Sequence, residues 1–181
     1  SVNNTTTYTL SGTGGIIGSA GLTKSGSGTL TIINSNSYSG GTYITNGTVQ
    51  LGNGGASGSI SGIIFDDGSL VVNRSDSLTL SSVISGAGSV EQAGLGTLVL
   101  GGANTYSNLT TISAGTLVAG NGAALGDTNA GTVVATGAML DINSQNLGAE
   151  AITASGSGIG GAGAIVNNGT ADSQNATRYV T

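Results

Sequence analysis

Any chemistry in this chain has to come from carboxylates, because the other usual carriers are missing. There is no His and no Cys. That removes the commonest general base, the thiol nucleophile, disulfides, and imidazole or thiolate metal sites. The acids are Asp66, Asp67, Asp76, Glu91, Asp127, Asp141, Glu150 and Asp172. Asp66-Asp67 is the only adjacent pair, and Gly68 follows it. Neighbouring carboxylates can seed a hard-cation site such as Ca²⁺, but Asp-Asp-Gly is also an ordinary turn ahead of a strand. Cleaving a polysaccharide needs acids gathered on one face, and here they scatter along the chain. A polysaccharide-degrading enzyme is therefore a remote alternative, and no catalytic residue, metal or cofactor is expected.

The remaining candidates are for binding. Tyr8, Tyr38, Tyr43, Tyr106 and Tyr179 can stack on sugar rings. Tyr38 and Tyr106 are candidate surface contacts, although their recurrence also suits a role covering a loop at one corner. Thr29-Leu30-Thr31 has the Thr-x-Thr form that an ice lattice needs, but Thr48-Val49-Gln50, Ser69-Leu70-Val71 and Thr97-Leu98-Val99 break it. Lys24, Arg74 and Arg178 are the only basic residues and the formal net charge is −5, so a phosphate-tracking groove, and with it nucleic acid, is excluded. No apolar run reaches membrane-spanning length. No signal peptide is legible, and the chain is expected to be mature or a fragment.

These residues must be positioned by β-structure. The chain has 35 Gly and no Pro. Glycine every few residues is incompatible with helix, at about 1 kcal/mol each, and leaves no window for a 3.6-residue stripe. Residues 26–53, GSGTLTIINSNSYSGGTYITNGTVQLGN, return at 94–121 as GLGTLVLGGANTYSNLTTISAGTLVAGN. An offset of 68 residues signals a stacked array.

Within it a smaller unit of Gly, a small residue and an apolar residue recurs, with corner glycines at Gly28, Gly47, Gly68, Gly96, Gly115 and Gly137. Leu30, Val49, Leu70, Leu98, Leu117 and Met139 follow them and are expected to form one inner ladder. The glycines are expected to turn corners with positive φ. The spacing predicts coils of roughly 19 to 28 residues, and hence three coils per long repeat.

The expected fold is all-β, a right-handed parallel β-helix of roughly seven to eight coils. A sandwich of hairpins is the alternative, since Asn46-Gly47 and Asp67-Gly68 suit tight turns. The solenoid is expected to span residues 1–181, with repeats at approximately 16–83 and 84–158 and a partial third at 159–181. Asn34, Asn53, Asn73, Asn121 and Asn143 follow strands, either as turn residues or as an amide ladder between coils.

The two long copies resemble the autotransporter-associated β-strand repeat, also called the passenger-associated transport repeat. The resemblance rests on Gly94 to Leu100, Asn104-Thr105-Tyr106, Thr110-Thr111-Ile112 and Gly115-Thr116-Leu117, and on their counterparts in the first copy. It implies a secreted or surface-exposed passenger of a Gram-negative-type bacterium, folded as a parallel β-helix, with a repeat that assists export and carries no catalytic residues. The expected role is a non-enzymatic stalk, fibre or filament element. An adhesin or glycan-binding module is the alternative. Expected partners are further copies, stacked end to end through terminal coils, or a host or matrix glycan or protein.

Overall fold

The computed structural model describes residues 1–170. The strands alternate inward and outward residues, and almost every strand pairs in parallel with strands about twenty residues away. The result is a parallel β-solenoid of about eight turns. At about 4.8 Å per turn the stack is roughly 38 Å long.

Each turn visits three faces in a fixed order. The first face holds Val2–Asn3, Leu22–Ser25, Thr42–Ile44, Ile64–Asp66 and Ile84–Ser85. The second is an eight-stranded sheet from Tyr8–Leu10 to Ile152–Ala154, and the third runs from Ser77–Leu80 to Ile165–Val166. The first turns use irregular backbone on the third face and the later turns use it on the first. In residues 34–40, for example, Ser37 and Ser39 donate their N–H groups to Ile16 O and Gly18 O, at 3.0 and 2.9 Å.

The register fixes the coil length. On the second face one inward column runs Leu30, Val49, Leu70, Val90, Thr110, Thr132 and Ile152, a step of about twenty residues. The 68-residue repeat is therefore not three coils but about three and one third. Each copy of the repeat lands one face further round than the last.

This corrects the expected single ladder. Leu30, Val49 and Leu70 share a column on the second face. Leu98 and Leu117 stand in another column on the third, with Leu78 and Leu140. Met139 is in neither. It pairs with Thr116 and is half-buried, while Leu140 takes the core position. The corner at residues 135–138 has four residues against three at 113–115, so the Gly-small-apolar motif sits one residue out of register there, and Leu140 rather than Met139 stacks on Leu117.

The corner glycines are also on two edges. Gly28, Gly47 and Gly68 line the corner between the first and second faces; Gly96, Gly115 and Gly137 line that between the second and third. Positive φ is needed at Gly47 (73°) and Gly115 (61°), and Gly137 shares it; Gly28, Gly68 and Gly96 do not have it. What excludes a side chain at those three is space. A Cβ on Gly96 would overlap Asp76 O, and one on Gly28 would overlap Thr6 O, in the turn below.

The expected third copy departs from the pattern at its start: Ile84–Ser85 is a strand, whereas Ile159–Gly161 is a 3₁₀ turn. The rest of the expected partial repeat, with Asp172, Arg178 and Tyr179, lies outside the described residues. Among the described residues no helix is long and apolar enough to cross a membrane.

Candidate functional site

The polar side chains fall into an inner set, which ties turns together, and an outer set. The inner set repeats with the 68-residue period. Asn36 Oδ1 accepts from Ile16 N–H in the turn below (2.8 Å), and its Nδ2 donates to Ser59 O in the turn above (2.8 Å). Asn104 does the same, accepting from Ile84 N–H (2.9 Å) and donating to Ala124 O (2.6 Å). Both replace backbone pairing where the chain is not a strand. Coil-to-coil amide bonding is thus present, but centred on a pair outside the expected set. Of that set, Asn34 donates to Gly14 O (2.7 Å) and only Asn143 takes left-handed φ (47°).

Two residues beyond each of these asparagines stands a tyrosine. Tyr38 and Tyr106, expected as surface contacts, have 0 % exposure. Each hydroxyl meets a buried threonine four residues on, Thr42 or Thr110, at 2.6 Å. Thr110 Oγ1 spends its proton on Leu125 O (3.0 Å), so Tyr106 is the donor in its pair. Burial raises the phenol pKa of both, against the opposing effect of the threonine bond. Neither can touch a partner. The spacing Tyr-x-x-x-Thr, present in both copies, was the available signal that these hydroxyls are paired indoors.

At the next equivalent pair, Lys24 is fully buried and its ammonium donates to the corner carbonyls of Ser25, Gly26 and Asn46, at 3.0, 2.7 and 3.2 Å. Gln92, its counterpart, donates to Gly94 O and Gly96 O, at 2.8 and 3.0 Å. Both close the open carbonyls that a tight corner leaves.

The acids are similarly occupied. Asp66 and Asp67 point to opposite sides of the wall, so they cannot share a cation. Asp66 is buried and accepts from Gly68 N–H (2.9 Å), while Asp67, exposed, accepts from Ala87 N–H (2.9 Å). Burial, with the charge of Asp67 adding and the Gly68 bond opposing, pushes the Asp66 carboxyl up to about 6. Asp76 pairs with Arg74 through two bonds of 2.8 and 2.7 Å, which hold its carboxyl below the usual range. Arg74 also clamps Ala56 O and Gly58 O. Glu91 accepts from Ser113 Oγ, Asp127 from Asn129, Asp141 from Asn143 and Asn168, and Glu150 from Thr132 Oγ1. Burial raises the Glu150 carboxyl, with the Thr132 bond opposing and the charge of Asp127 adding. A cavity of about 200 Å³ reaches Glu150, the single carboxylate in its lining. Among the described residues no three acids gather as a metal site.

The outer surface has one feature of its own. On the first face Tyr43 and Phe65 are register partners, and Ile63 and Val83 beside them are 60 % and 42 % exposed. A second cavity, of about 220 Å³, opens at the adjoining corner.

A family model described as the passenger-associated-transport-repeat matches residues 22–51 and 90–119. The chain carries two passenger-associated-transport repeats. Each match begins at a strand and ends at one: Leu22–Ser25 to Thr48–Leu51 in the first, and Ser89–Gln92 to Thr116–Ala119 in the second. The first repeat thus starts on the first face and the second on the second face. The chain is also similar to the protein named adhesin BmaC autotransporter of Brucella suis biovar 1 (strain 1330), 43 % identical over 91 residues. That match covers 47 % of this chain and 3 % of the relative, so the chain corresponds to a small part of that protein's length. No solved structure matches.

Proposed function

We propose that the chain is a non-catalytic rod segment of a bacterial cell-surface passenger of adhesin type, holding a binding surface away from the cell. The observation that carries this reading is that all seven described carboxylates accept hydrogen bonds from the scaffold itself. Acid-base cleavage of a glycosidic bond needs two carboxyl groups facing one substrate, and the cavity at Glu150 has one. The transport repeats and the similarity to a protein named as an autotransporter adhesin support the surface location. The architecture suits it too. Each turn bonds only to its neighbours, so the rod can grow turn by turn from one end as the chain emerges.

Two measurements test this. Antibody labelling of intact source cells should detect the segment without permeabilisation. The purified chain should release no reducing ends from a panel of polysaccharides. Release that disappears in Glu150→Gln would overturn the non-catalytic reading.

End-to-end association is a second proposal, favoured by one observation. The outermost strands of the second face, Tyr8–Leu10 and Ile152–Ala154, each pair on one edge only among the described residues. Such edges accept a further strand, and a head-to-tail contact of this kind does not close. Sedimentation over a concentration series reads it directly.

A further inference from the structure

We propose that the first face, over the turns of Thr42–Ile44, Ile64–Asp66 and Ile84–Ser85, binds an uncharged glycan. The chain has five Tyr and one Phe, and two of these six aromatics stand side by side, outward, on neighbouring strands. Adjacent parallel strands lie about 4.8 Å apart, so the rings of Tyr43 and Phe65 form one continuous strip. The row beside them holds Gly41, Ile63 and Val83, because Thr42, Ile64 and Ile84 are in register. Gly41 offers no side chain, and Ile63 leans into the space: a Cβ on Gly41 would lie 2.8 Å from Ile63 Cγ1 and 3.6 Å from Tyr43 Cε2. The outcome is a flat apolar platform of two rings and two branched aliphatic side chains.

Around the corner lies the 220 Å³ cavity. Its rim carries the hydroxyls of Ser61, Thr79, Ser81 and Ser82 over a floor that includes Ile60 and Leu80. None of the four hydroxyls is engaged with another described residue. Platform and cavity are continuous, since Ile63 follows Gly62 and Val83 follows Ser82.

The charge pattern selects the ligand. The platform and the cavity lining contain no Lys, Arg, Asp or Glu. Asp66 is buried on the other side of the wall, and the outward Asp67, two residues beyond Phe65, holds Ala87 N–H and opposes an acidic ligand. A sialylated, sulfated or phosphorylated ligand finds no counter-charge here. A purely apolar partner leaves the hydroxyl pocket unused. A pyranose has an apolar C–H face that stacks on aromatic rings and an edge of hydroxyls that both donate and accept, as serine and threonine do. Drug-sized ligands need about 300–1,000 Å³, so this pocket takes one sugar ring and leaves the next to lie on the platform. The proposal deepens the adhesin-type reading above and rests on it for its biological setting, but the purified chain tests it without any cell.

The test is an array of neutral oligosaccharides printed beside sialylated and sulfated ones, followed by calorimetric titration of the best neutral binder. Saturable, salt-insensitive binding to a neutral glycan is expected. It should weaken about tenfold or more in Phe65→Ala and in Tyr43→Ala, and stay unchanged in Thr111→Ala on the second face. Thermal melts show whether each variant is folded. If an aromatic truncation unfolds the chain, Ser81→Glu in the exposed rim replaces it and should also abolish binding. No neutral binder, a preference for acidic glycans, or binding indifferent to Tyr43, Phe65 and Ser81 would overturn the proposal while leaving the rod reading to its own assays. Self-association removed by Ile63→Asp, without glycan binding, would instead make the strip a contact between copies.

Discussion

Asn36 and Asn104 stand 68 residues apart, in equivalent places of the two repeats, and perform the same bridge on different faces of the rod. Each amide accepts from the backbone of the turn below and donates to the turn above. A backbone that leaves the strand conformation loses its ladder bonds, and a buried N–H or C=O without a partner is costly. The asparagine supplies both missing partners with one side chain.

Asn104→Ala should therefore strand Ile84 N–H and Ala124 O inside the wall, at roughly 2–4 kcal/mol. Asn104→Asp keeps the acceptor for Ile84 but not the donor for Ala124, and adds a buried charge, so it should be no better at neutral pH. Chemical denaturation of the two variants reads this. An Asn104→Ala chain as stable as the parent would show that the bridge contributes nothing.

The slipped corner gives a sharper contrast. Leu140 is fully buried and Met139 is not, although the motif Gly-small-apolar points to Met139. Leu140→Asp should cost on the order of 3–5 kcal/mol by burying an unpaired charge, and Met139→Asp about 1 kcal/mol or less. The reverse order in thermal melts would restore the motif-based alignment.

That contrast marks how far the sequence could be read. The parallel solenoid, its inward alternation and the two long copies are visible because they are local patterns and a fixed offset. The face on which each copy falls is not visible, because it depends on residues per turn, and coils differ by a residue or two at their corners. Motif spacing alone therefore puts Leu98 under Leu70, whereas it lies a face away. Tyr38 and Tyr106 looked available because tyrosine often is; the threonine four residues on was a legible reason for them to be inside. Tyr43 and Phe65 become neighbours only through register, so their strip is absent from any linear motif.

Stability should depend on pH between about 4 and 6. The Asp66 carboxyl is near 4 in the unfolded chain and about 6 when folded. In that window the folded state binds more protons, so stability is highest below pH 4 and falls as pH rises through 6, by up to about 3 kcal/mol. Glu150, also raised, acts in the same sense. Asp66→Asn keeps an acceptor for Gly68 N–H and should flatten the profile and raise stability at pH 7. An unchanged slope in that variant would assign the dependence elsewhere.

Two glycines separate conformational strain from crowding. Gly115 has positive φ, and a Cβ there would overlap Gly94 O and Gly96 O in the turn below. Gly137 has positive φ with nothing within 4 Å of a Cβ. Gly137→Ala should thus cost about 1–2 kcal/mol, the left-handed penalty alone, and Gly115→Ala about 1–3 kcal/mol more, because rigid carbonyls must move. Equal losses on denaturation would mean that the corner relaxes freely.

The one-face advance of the repeat leads to the last prediction. If the first repeat can sit on one set of faces and the second on the next, the three faces are interchangeable to the motif. Excising residues 30–97 joins Thr29 to Leu98 and removes one 68-residue period. The second repeat then occupies the faces vacated by the first, and every later turn rotates by a third. Leu98 stacks over Tyr8, where Leu30 stood, and Asn104 bridges the third face in place of Asn36. The product should fold to a rod of about five turns, shorter by about 16 Å, with a single cooperative melt. Circular dichroism and small-angle scattering measure both. An unfolded product would mean that each copy is adapted to its own face and that the advance is tolerated rather than built into the repeat.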